Sequence, residues 1–315
     1  MSYNIRSGNG DLDGTAAAIR ASAPDVVALQ EVDVHWAERS NFVDEASVLG
    51  ARLGMQVRFA RIYKLPGASA AQLPREFGVA LLSRYPIVRF RDDTLTRLST
   101  QESNPVPAPM PGLLEATIDV HGTPVRVFNT HLDYRSDPGV RRRQVAEMLA
   151  YIGAPSAPTL VFGDMNAPPD APELQPLLHR LRDAWAAVSD SAGFTYPAEA
   201  PSKRIDYVLV SPHFQVRDAS VPATQASDHR PVVVDLVLGR AHAGVRPGLG
   251  RSYRYGRGLS SSRRADVDVA AASLLAVFAM NCGCRSGLAS TNARRTPSAS
   301  RSVAYTGVPG CCRHD

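Results

Sequence analysis

Cysteine is scarce in this chain and confined to one end of it. The four cysteines are Cys282, Cys284, Cys311 and Cys312. Residues 1–239 therefore have no disulfide, no thiolate nucleophile and no cysteine-based zinc site. A Cys-x-Cys pair followed much later by Cys-Cys also fits no established metal-ligand spacing.

Long hydrophobic runs are missing as well. The longest uncharged apolar stretch, 269–280, is far shorter than the roughly 20 residues that span a bilayer. No signal peptide is visible before the first motif. We expect a cytoplasmic monomer without a transmembrane segment, although a start upstream of Met1 would hide an export signal.

A basic surface is absent from most of the chain, although the formal net charge is +5. Residues 1–239 carry 23 Lys and Arg against 27 Asp and Glu, whereas residues 240–315 carry 12 against 3. Duplex DNA binding requires a basic face, which a mildly acidic body does not provide, so nucleic acid is not the favoured partner.

The composition changes after residue 239, where Arg, Ser, Gly and Ala dominate. We predict one domain over 1–239 and a mostly disordered basic tail over 240–315. The arginines of the tail could contact an anionic surface. The alternative is an extension that has no role.

The sequence does contain many short apolar runs, which alternate with helix-like segments and turns. The runs predict strands at 2–5, 26–29, 77–82, 87–90, 114–120, 125–129, 159–162, 205–210 and 231–238. Helices are predicted at 15–22, 41–53 and 138–151, and a loop with four prolines at 100–112. A mixed arrangement of two sheets with helices outside fits this order better than a purely parallel sheet.

Polar signatures stand at the ends of these runs. They are Asn4, Gln30-Glu31, Asn129-Thr130-His131, Gly163-Asp164-Met165-Asn166, Arg204-Ile205-Asp206 and Ser227-Asp228-His229. Three of the runs end in a signature and the last two begin with one. If the last two run antiparallel to the others, the signatures gather at one edge of the sheets.

Each signature has a simpler explanation when it is taken alone. Asn4 and Asp228 could cap turns, the histidines could be ordinary hydrogen-bonded residues, and Asp206 could pair with Arg204. Six such signatures at strand ends are hard to explain as turn chemistry, so we interpret them together as a site.

The donor atoms of these signatures indicate the chemistry. Oxygens from Glu31, Asp164, Asn166 and Asp228 suit Mg²⁺ or Mn²⁺, which share their ligand shell with a substrate phosphate. Such a site polarises a phosphoryl group and activates water. His229 could transfer a proton there if a carboxylate oriented it. No Gly-x-Ser-x-Gly or other covalent-nucleophile arrangement competes.

The order of the motifs resembles the endonuclease/exonuclease/phosphatase superfamily, which includes exonuclease III and DNase I types. The matching segments are Ser-Tyr-Asn-Ile at 2–5, Leu-Gln-Glu-Val at 29–32, Ala-Leu-Leu-Ser-Arg-Tyr-Pro-Ile at 80–87, Asn-Thr-His-Leu at 129–132, Gly-Asp-Met-Asn-Ala-Pro at 163–168, Arg-Ile-Asp-Tyr at 204–207 and Ser-Asp-His-Arg-Pro-Val at 227–232. The resemblance covers about residues 1–238.

The resemblance implies an α/β fold, a four-layer α/β/β/α sandwich of the DNase I-like type, with a Mg²⁺-dependent phosphoester hydrolysis site on one edge. Glu31 would be the principal metal ligand, with Asn4 and Asp228 beside it. Asp164 would align or deprotonate the attacking water. The remaining roles are phosphate binding by Asn166, charge stabilisation by His131, and an orienting carboxylate–histidine pair of Asp206 and His229.

One position departs from the family pattern, and one residue within a matching segment is assigned a structural role. Many relatives carry Asn where this chain has Val79, which removes a potential substrate contact. Arg84 is predicted to form a structural ion pair.

The sequence defines the substrate class less well than the reaction. The sequence has no paired aromatic stripe for stacking single strands. We assign the aromatic residues near the motifs to core or loop packing: Tyr63, Phe77, Tyr85, Tyr134 and Tyr196. The run 141–143, three arginines, is assigned to a solvated helix face.

We therefore predict a Mg²⁺- or Mn²⁺-dependent phosphoesterase that acts on a small or lipid-linked phosphodiester or phosphomonoester. A nuclease of the same superfamily and a catalytically inactive binding module are the alternatives.

Overall fold

β-Strands predominate in the part of the chain that the structure describes. The computed structural model describes residues 1–239 apart from 68, 70 and 155, so the predicted tail lies outside it. The strands are β1 (Ser2–Asn4), β2 (Val26–Val34), β3 (Gln56–Leu65), β4 (Arg75–Ser83), β5 (Ile87–Arg97), β6 (Ala108–Val120), β7 (Thr123–His131), β8 (Thr159–Asp164), β9 (Arg182–Asp183), β10 (Asp206–Val210), β11 (Phe214–Ser220) and β12 (Val233–Leu238). The helices are α1 (Leu12–Ser22), α2 (Glu45–Leu53), α3 (Gly139–Ile152) and α4 (Gln175–Arg180). None of these described helices is both long and apolar enough to cross a membrane.

The strands form two mixed sheets and one separate pair. The first sheet has the order β1-β2-β4-β3, and the second has the order β5-β6-β7-β8-β10-β9. β1 runs parallel to β2 and β7 parallel to β8, whereas β10 runs antiparallel to β8. β11 and β12 pair with each other. The predicted mixed, two-sheet arrangement is confirmed.

Three apolar clusters separate the layers. The central cluster joins the inner faces of the two sheets, with Ala28 and Leu81 on one side and Val127 and Phe162 on the other. A second cluster packs α3 and α4 onto the outer face of the six-stranded sheet. A third packs α1 and α2 onto the four-stranded sheet. The predicted four-layer α/β/β/α sandwich is confirmed, because each sheet buries both of its faces.

Strand β6 begins inside the segment that was predicted to be a loop. Only residues 114–120 of β6 pair with β7, whereas 108–110 and 113 pair with β5 and with no other described strand. Pro109 and Pro111 therefore lie where one side of β6 has no neighbour among the described strands. Proline is tolerated at such positions because the missing N–H removes no ladder hydrogen bond.

The helix predicted over 41–53 begins only at Glu45. Asp44 caps it by accepting a hydrogen bond from the Ser47 backbone N–H at 2.9 Å. Asp44 also bridges to Val34 of β2, which fixes an extended backbone there. The cap therefore ends the preceding extended segment, and the apolar Phe42 lies outside the helix.

Strands β3, β9 and β11 and helix α4 were not predicted. In β3, the alternation of apolar residues with Arg breaks at Ala60, next to a register shift between Arg61 and Tyr63. The shift interrupts the period of two by which a half-buried strand is recognised.

Two arginine predictions were wrong. In the run 141–143, Arg142 and Arg143 are exposed as predicted, but Arg141 is buried and its guanidinium pairs with Glu173 at 2.8 Å. Arg84 makes no ion pair among the described residues, and its Nε donates to the Pro24 carbonyl at 3.3 Å. Glu173 and Pro24 are both far from their arginine partners along the chain, so the local sequence around each arginine does not reveal the contact.

Candidate functional site

The sheet register brings the polar strand ends into adjacent rows. His131 of β7 lies opposite Asp164 of β8, and Asp164 lies opposite Asp206 of β10. In the other sheet, Asn4 of β1 lies opposite Gln30, the residue before Glu31. The predicted gathering of signatures at one edge follows from these pairings.

The backbone turns sharply where several of these residues occur. Glu31, Asn166 and Arg6 have positive φ angles of 53°, 49° and 47°. At Glu31 the register with β4 shifts, which marks a β-bulge. Non-glycine residues in this conformation carry strain of about 1–3 kcal/mol and concentrate at functional sites. The bulge re-aims the Glu31 side chain relative to the regular pleat.

The side-chain amide of Asn4 joins two carboxylates from different sheets. Its Nδ2 lies 3.0 Å from Glu31 Oε1 and 3.0 Å from Asp164 Oδ2. Because both oxygens contact one nitrogen, they are at most twice that distance apart. The Asn4 Oδ1 accepts from the Arg6 backbone N–H at 3.0 Å, which holds the amide in this orientation.

Asp164 is the centre of the candidate site. Its Oδ1 accepts from the Asn166 backbone N–H at 2.9 Å. Its Oδ2 lies 3.5 Å from His131 Nε2 and 3.7 Å from His229 Nε2. One carboxylate oxygen is therefore fixed by the turn, and the other faces two histidines and the Asn4 amide.

His131 is held by the turn that follows β8. Asn166 Nδ2 lies 2.8 Å from His131 Nε2 and donates to the Leu132 carbonyl at 3.0 Å. Both hydrogens of this amide thus have partners within the protein. Asn166 is in place to position His131.

Asp206 and His229 form a buried hydrogen-bonded pair, with Asp206 Oδ2 2.9 Å from His229 Nδ1. The Thr195 and Tyr196 segment lies beside them, and the Tyr196 ring centroid is 4.8 Å from that of His229. The suggestion that Asp206 serves Arg204 was wrong, because Arg204 pairs with Asp183 at 2.6 Å.

The local charges shift the pKa values of this pair. Burial lowers the pKa of His229, but the carboxylates of Asp206 and Asp164 outweigh that effect and raise it. Burial raises the pKa of Asp206, and the positive charge on His229 opposes the rise. The arrangement favours a protonated imidazole next to Asp164.

Asp228 lies at the more open side of the site. Its Oδ2 is 3.5 Å from Arg6 Nε. The neighbouring Ser227 hydroxyl donates to the Asn4 backbone carbonyl at 2.8 Å, which ties this loop to β1. Sequence analysis did not identify Arg6, whose position two residues after Asn4 is the available signal.

Two buried amides connect the sheets beneath the site. Gln30 Nε2 donates to Asn129 Oδ1 at 2.7 Å. Asn129 Nδ2 donates to the carbonyls of Leu29 and Ala80, each at 2.9 Å. Gln30 and Asn129 belong to the signatures but had no predicted role. Their contacts fix β7 against β2 directly below Glu31 and His131.

The donor chemistry fits a hard divalent cation. Glu31, Asp164 and Asp228 supply carboxylate oxygens. The Asn4 Nδ2 lies beside the first two, so the atom of Asn4 that could bind a cation is Oδ1, which accepts from the Arg6 backbone N–H. Mg²⁺ and Mn²⁺ prefer such oxygen donors. A second group, Asp164, Asp206 and His229, has ligand atoms within 4.8 Å of one another. In that group Asp206 and His229 already hydrogen-bond to each other.

Comparison with known families agrees with the resemblance drawn from the motifs. The model of the endonuclease/exonuclease/phosphatase family matches residues 1–229. A comparison with curated protein sequences found no significant match.

Solved structures with the same fold include three with informative names. An endonuclease/exonuclease/phosphatase from Beutenbergia cavernae DSM 12333 gives a TM-score of 0.61 at 26% identity, covering 76% of this chain and 70% of that one. A mannosyl-6-phosphatase from Bacteroides thetaiotaomicron gives a TM-score of 0.55 at 18% identity, covering 75% of this chain and 98% of that one. The human Nocturnin catalytic domain with bound sulfate gives a TM-score of 0.54 at 20% identity, covering 75% of this chain and 91% of that one. At these identities the last two show the fold alone.

Proposed function

Because the chain belongs to the endonuclease/exonuclease/phosphatase family, we propose that it is a Mg²⁺- or Mn²⁺-dependent phosphoesterase. The proposed substrate is a small or lipid-linked phosphodiester or phosphomonoester. One observation carries the proposal. The Asn4 amide joins Glu31 to Asp164, and the same Asp164 oxygen faces both histidines.

The proposed cation ligands are Glu31, Asn4 and Asp228. A divalent cation held there would polarise the phosphoryl group and neutralise charge on the leaving oxygen. Glu31 and Asp164 have no Lys or Arg within 4.0 Å among the described residues. The charge of Glu31 is therefore balanced by no basic side chain within this distance in the described part of the chain, which supports a role in cation binding, whereas Asp164 faces the protonated His229.

Asp164 is the proposed base. Its Oδ1 is held by the Asn166 backbone N–H, so its Oδ2 can align a water molecule and accept a proton from it. The water oxygen forms a bond to phosphorus as the ester P–O bond breaks, and the leaving oxygen takes a proton from solvent. A carboxylate next to two imidazoles is suited to this transfer.

The histidines are the proposed donors to phosphoryl oxygens. His229 is kept protonated by Asp206, with its Nε2 facing the Asp164 side of the site. His131 lies on the other side of the same oxygen. Charge that develops on the phosphoryl oxygens would be stabilised by His229, and by His131 once its Nε2 carries a proton and is released from the Asn166 amide. For Asn166 to bind phosphate as predicted, its amide must exchange one of its present partners.

The first test is hydrolysis of bis-p-nitrophenyl phosphate and p-nitrophenyl phosphate with Mg²⁺, Mn²⁺ or EDTA. We expect metal-dependent turnover that falls by about 10²–10⁴-fold in Asp164→Asn. Asp190→Asn, at an exposed position, is the matched control and should retain wild-type turnover. Absence of both turnover and Mg²⁺ or Mn²⁺ binding would instead favour the inactive binding module.

Salt dependence separates the small-substrate enzyme from the nuclease. Binding of a polyanionic strand weakens steeply with salt because counterions are released. Turnover of a small ester should change little between low and moderate salt. A steep salt dependence of activity on single- or double-stranded DNA or RNA would favour the nuclease.

A further inference from the structure

A cavity lies beside the candidate site, on the side of Glu31 and His131, and both residues line it. Its volume is about 220 Å³. Sites that enclose a complete drug-sized ligand measure roughly 300–1,000 Å³. The cavity is therefore large enough for one ring system of a substrate.

The walls of this cavity are aromatic. Tyr63 and Phe77 line it, with ring centroids 6.1 Å apart and planes inclined by 30°. Trp36 packs against both rings, at 6.1 Å and 5.8 Å, and fixes them from behind. Tyr63 and Phe77 pack against the central apolar cluster, as predicted from the sequence, and the fold also places them in the wall of the cavity that Glu31 lines.

Tyr134 contributes a further ring at the mouth of the cavity. It is 57% exposed, and the Arg135 guanidinium lies 5.1 Å from its ring centroid. Arg135 in turn pairs with Asp133. An exposed aromatic face held in one orientation is suited to stacking on a planar group.

One polar group of the cavity, the Tyr63 hydroxyl, favours a hydrogen-bond acceptor on a ligand, although the carboxylates of Glu31 and Asp133 also line the cavity. The Tyr63 hydroxyl oxygen accepts from the backbone N–H and the hydroxyl of Thr100, at 2.8 Å and 3.0 Å. Its own hydrogen therefore remains for an acceptor on a ligand.

Arg97 brings a buried positive charge to the same cavity. It is 6% exposed and donates to the carbonyls of Pro111, His131 and Gly112. No carboxylate lies within 4.0 Å of it among the described residues. Burial lowers the pKa of Arg97 to about 10, so the group stays charged at neutral pH. Asp92 and Asp133 act on this charge only over a longer distance. A buried cation disfavours a hydrocarbon beside it and favours an electron-rich polar ring.

We propose that this cavity is a subsite for a planar heteroaromatic ring with hydrogen-bond acceptors, such as a nucleobase, carried by the phosphoester that the site hydrolyses. The inference rests on the proposed function, because it places the phosphate next to Glu31 and His131. It narrows the substrate to a small nucleotide-like ester, in which the ring contributes affinity and the phosphate undergoes the reaction.

The test compares two ligands that differ only in the ring. Calorimetry would measure the affinities of adenosine 5′-monophosphate and ribose 5-phosphate for the full-length Asp164→Asn protein with Mg²⁺, so that neither ligand is consumed. Stacking of one base contributes enough affinity to expect a preference of roughly ten-fold or more for the nucleotide.

Variants of Tyr134 test the subsite itself. Adding Tyr134→Ala should bring the preference close to one, because Tyr134 is exposed and its removal does not threaten the fold. Tyr134→Phe keeps the ring and should keep most of the preference. Tyr85→Ala removes a tyrosine that packs on His121 instead, so the preference should survive. Equal affinities in the starting protein, no binding of either ligand, or a preference that withstands Tyr134→Ala would each overturn the proposal.

Hydrolysis of the model esters by the wild-type protein separates this proposal from the proposed function. Turnover without a preference for the nucleotide rejects the subsite and leaves the phosphoesterase in place. A preference without turnover and without Mg²⁺ or Mn²⁺ binding supports the subsite as a nucleotide-binding cavity and rejects the enzyme.

Discussion

Strand β2 carries two acidic residues, Glu31 and Asp33, whose surroundings differ in charge balance. Asp33 is fully buried and accepts two hydrogen bonds from Arg39, both at 2.9 Å, and one from Ser7 at 3.1 Å. Glu31 meets only the Asn4 amide, and no Lys or Arg lies within 4.0 Å of it among the described residues.

The difference extends from these two residues to their neighbours. Asp164 and Asp206 contact histidines but no arginine or lysine in the described chain. A buried carboxylate with a fixed guanidinium is satisfied by the fold itself. Carboxylates without one concentrate negative charge, which a folded protein tolerates where a cation or substrate completes the site. Charge balance therefore separates structural acids from candidate site acids on the same strand.

Among variants that test this difference between site acids and structural acids, Asp206→Asn is expected to have the largest effect, a loss of turnover. The amide removes the charge that keeps His229 protonated, so turnover should fall by about 10²–10⁴-fold. Steady-state kinetics on the model ester would measure the loss, and urea unfolding would show a change in the free energy of unfolding of about 1 kcal/mol or less.

Asp183→Asn is the matched control for that variant. Asp183 is on the adjacent strand β9 and pairs with Arg204, so its replacement should lower stability and spare turnover. If the two variants lost activity equally, the assignment of Asp206 to the site would be contradicted.

A smaller effect, on stability alone, is expected from Arg39→Met. The change leaves the buried Asp33 carboxylate without its cation, and the free energy of unfolding should fall by about 2–3 kcal/mol. Arg39 is half exposed, which keeps the loss below that of a fully buried pair. Urea denaturation measures it.

Arg58→Met provides the comparison, because Arg58 is exposed and bonds only its neighbour's carbonyl. Its stability should stay within about 0.5 kcal/mol of wild type. A loss of turnover in Arg39→Met without any loss of stability would show that Asp33 belongs to the site.

The smallest effect is expected from Glu45→Gln, which changes the pH dependence of stability. Glu45 is buried and accepts from the Asp33 backbone N–H at 2.8 Å. Burial raises the pKa of Glu45 from 4.5 to about 8. The unfolded chain therefore releases this proton first as pH rises, and wild-type stability falls between pH 4.5 and 8.

Glutamine retains an acceptor oxygen and does not ionise. The variant should be about 1–2 kcal/mol more stable than wild type at pH 8, with the advantage disappearing below pH 4.5. Thermal or urea unfolding at pH 4, 6 and 8 checks this. An equal advantage at all three pH values would contradict the ionisation argument.

Much of the fold followed from local patterns. The apolar run of β8 is buried at all six positions, as a run covered on both faces requires. The run of β10 behaves in the same way. The points at which strands begin and end were harder to predict. Strand β6 contains Pro109 and Pro111, which are tolerated because of where β6 lies in the strand order.

The sequence predicted the gathering of Asn4, Glu31, His131, Asp164 and Asp206 on the condition that the last two strands run antiparallel to the others, and β10 does run antiparallel to β8. The order of apolar runs also favoured two sheets with helices outside. The four-layer order was implied by the family resemblance.

Only the tertiary structure decided which side chains became partners. Arg204 pairs with Asp183 because β9 lies beside β10 with Asp183 opposite Leu209. Tyr63 and Phe77 line a cavity next to Glu31 because β3 and β4 are neighbours in the sheet. Such partners come from segments distant in sequence. Their meeting depends on strand order and register, which the spacing of residues along the chain does not encode.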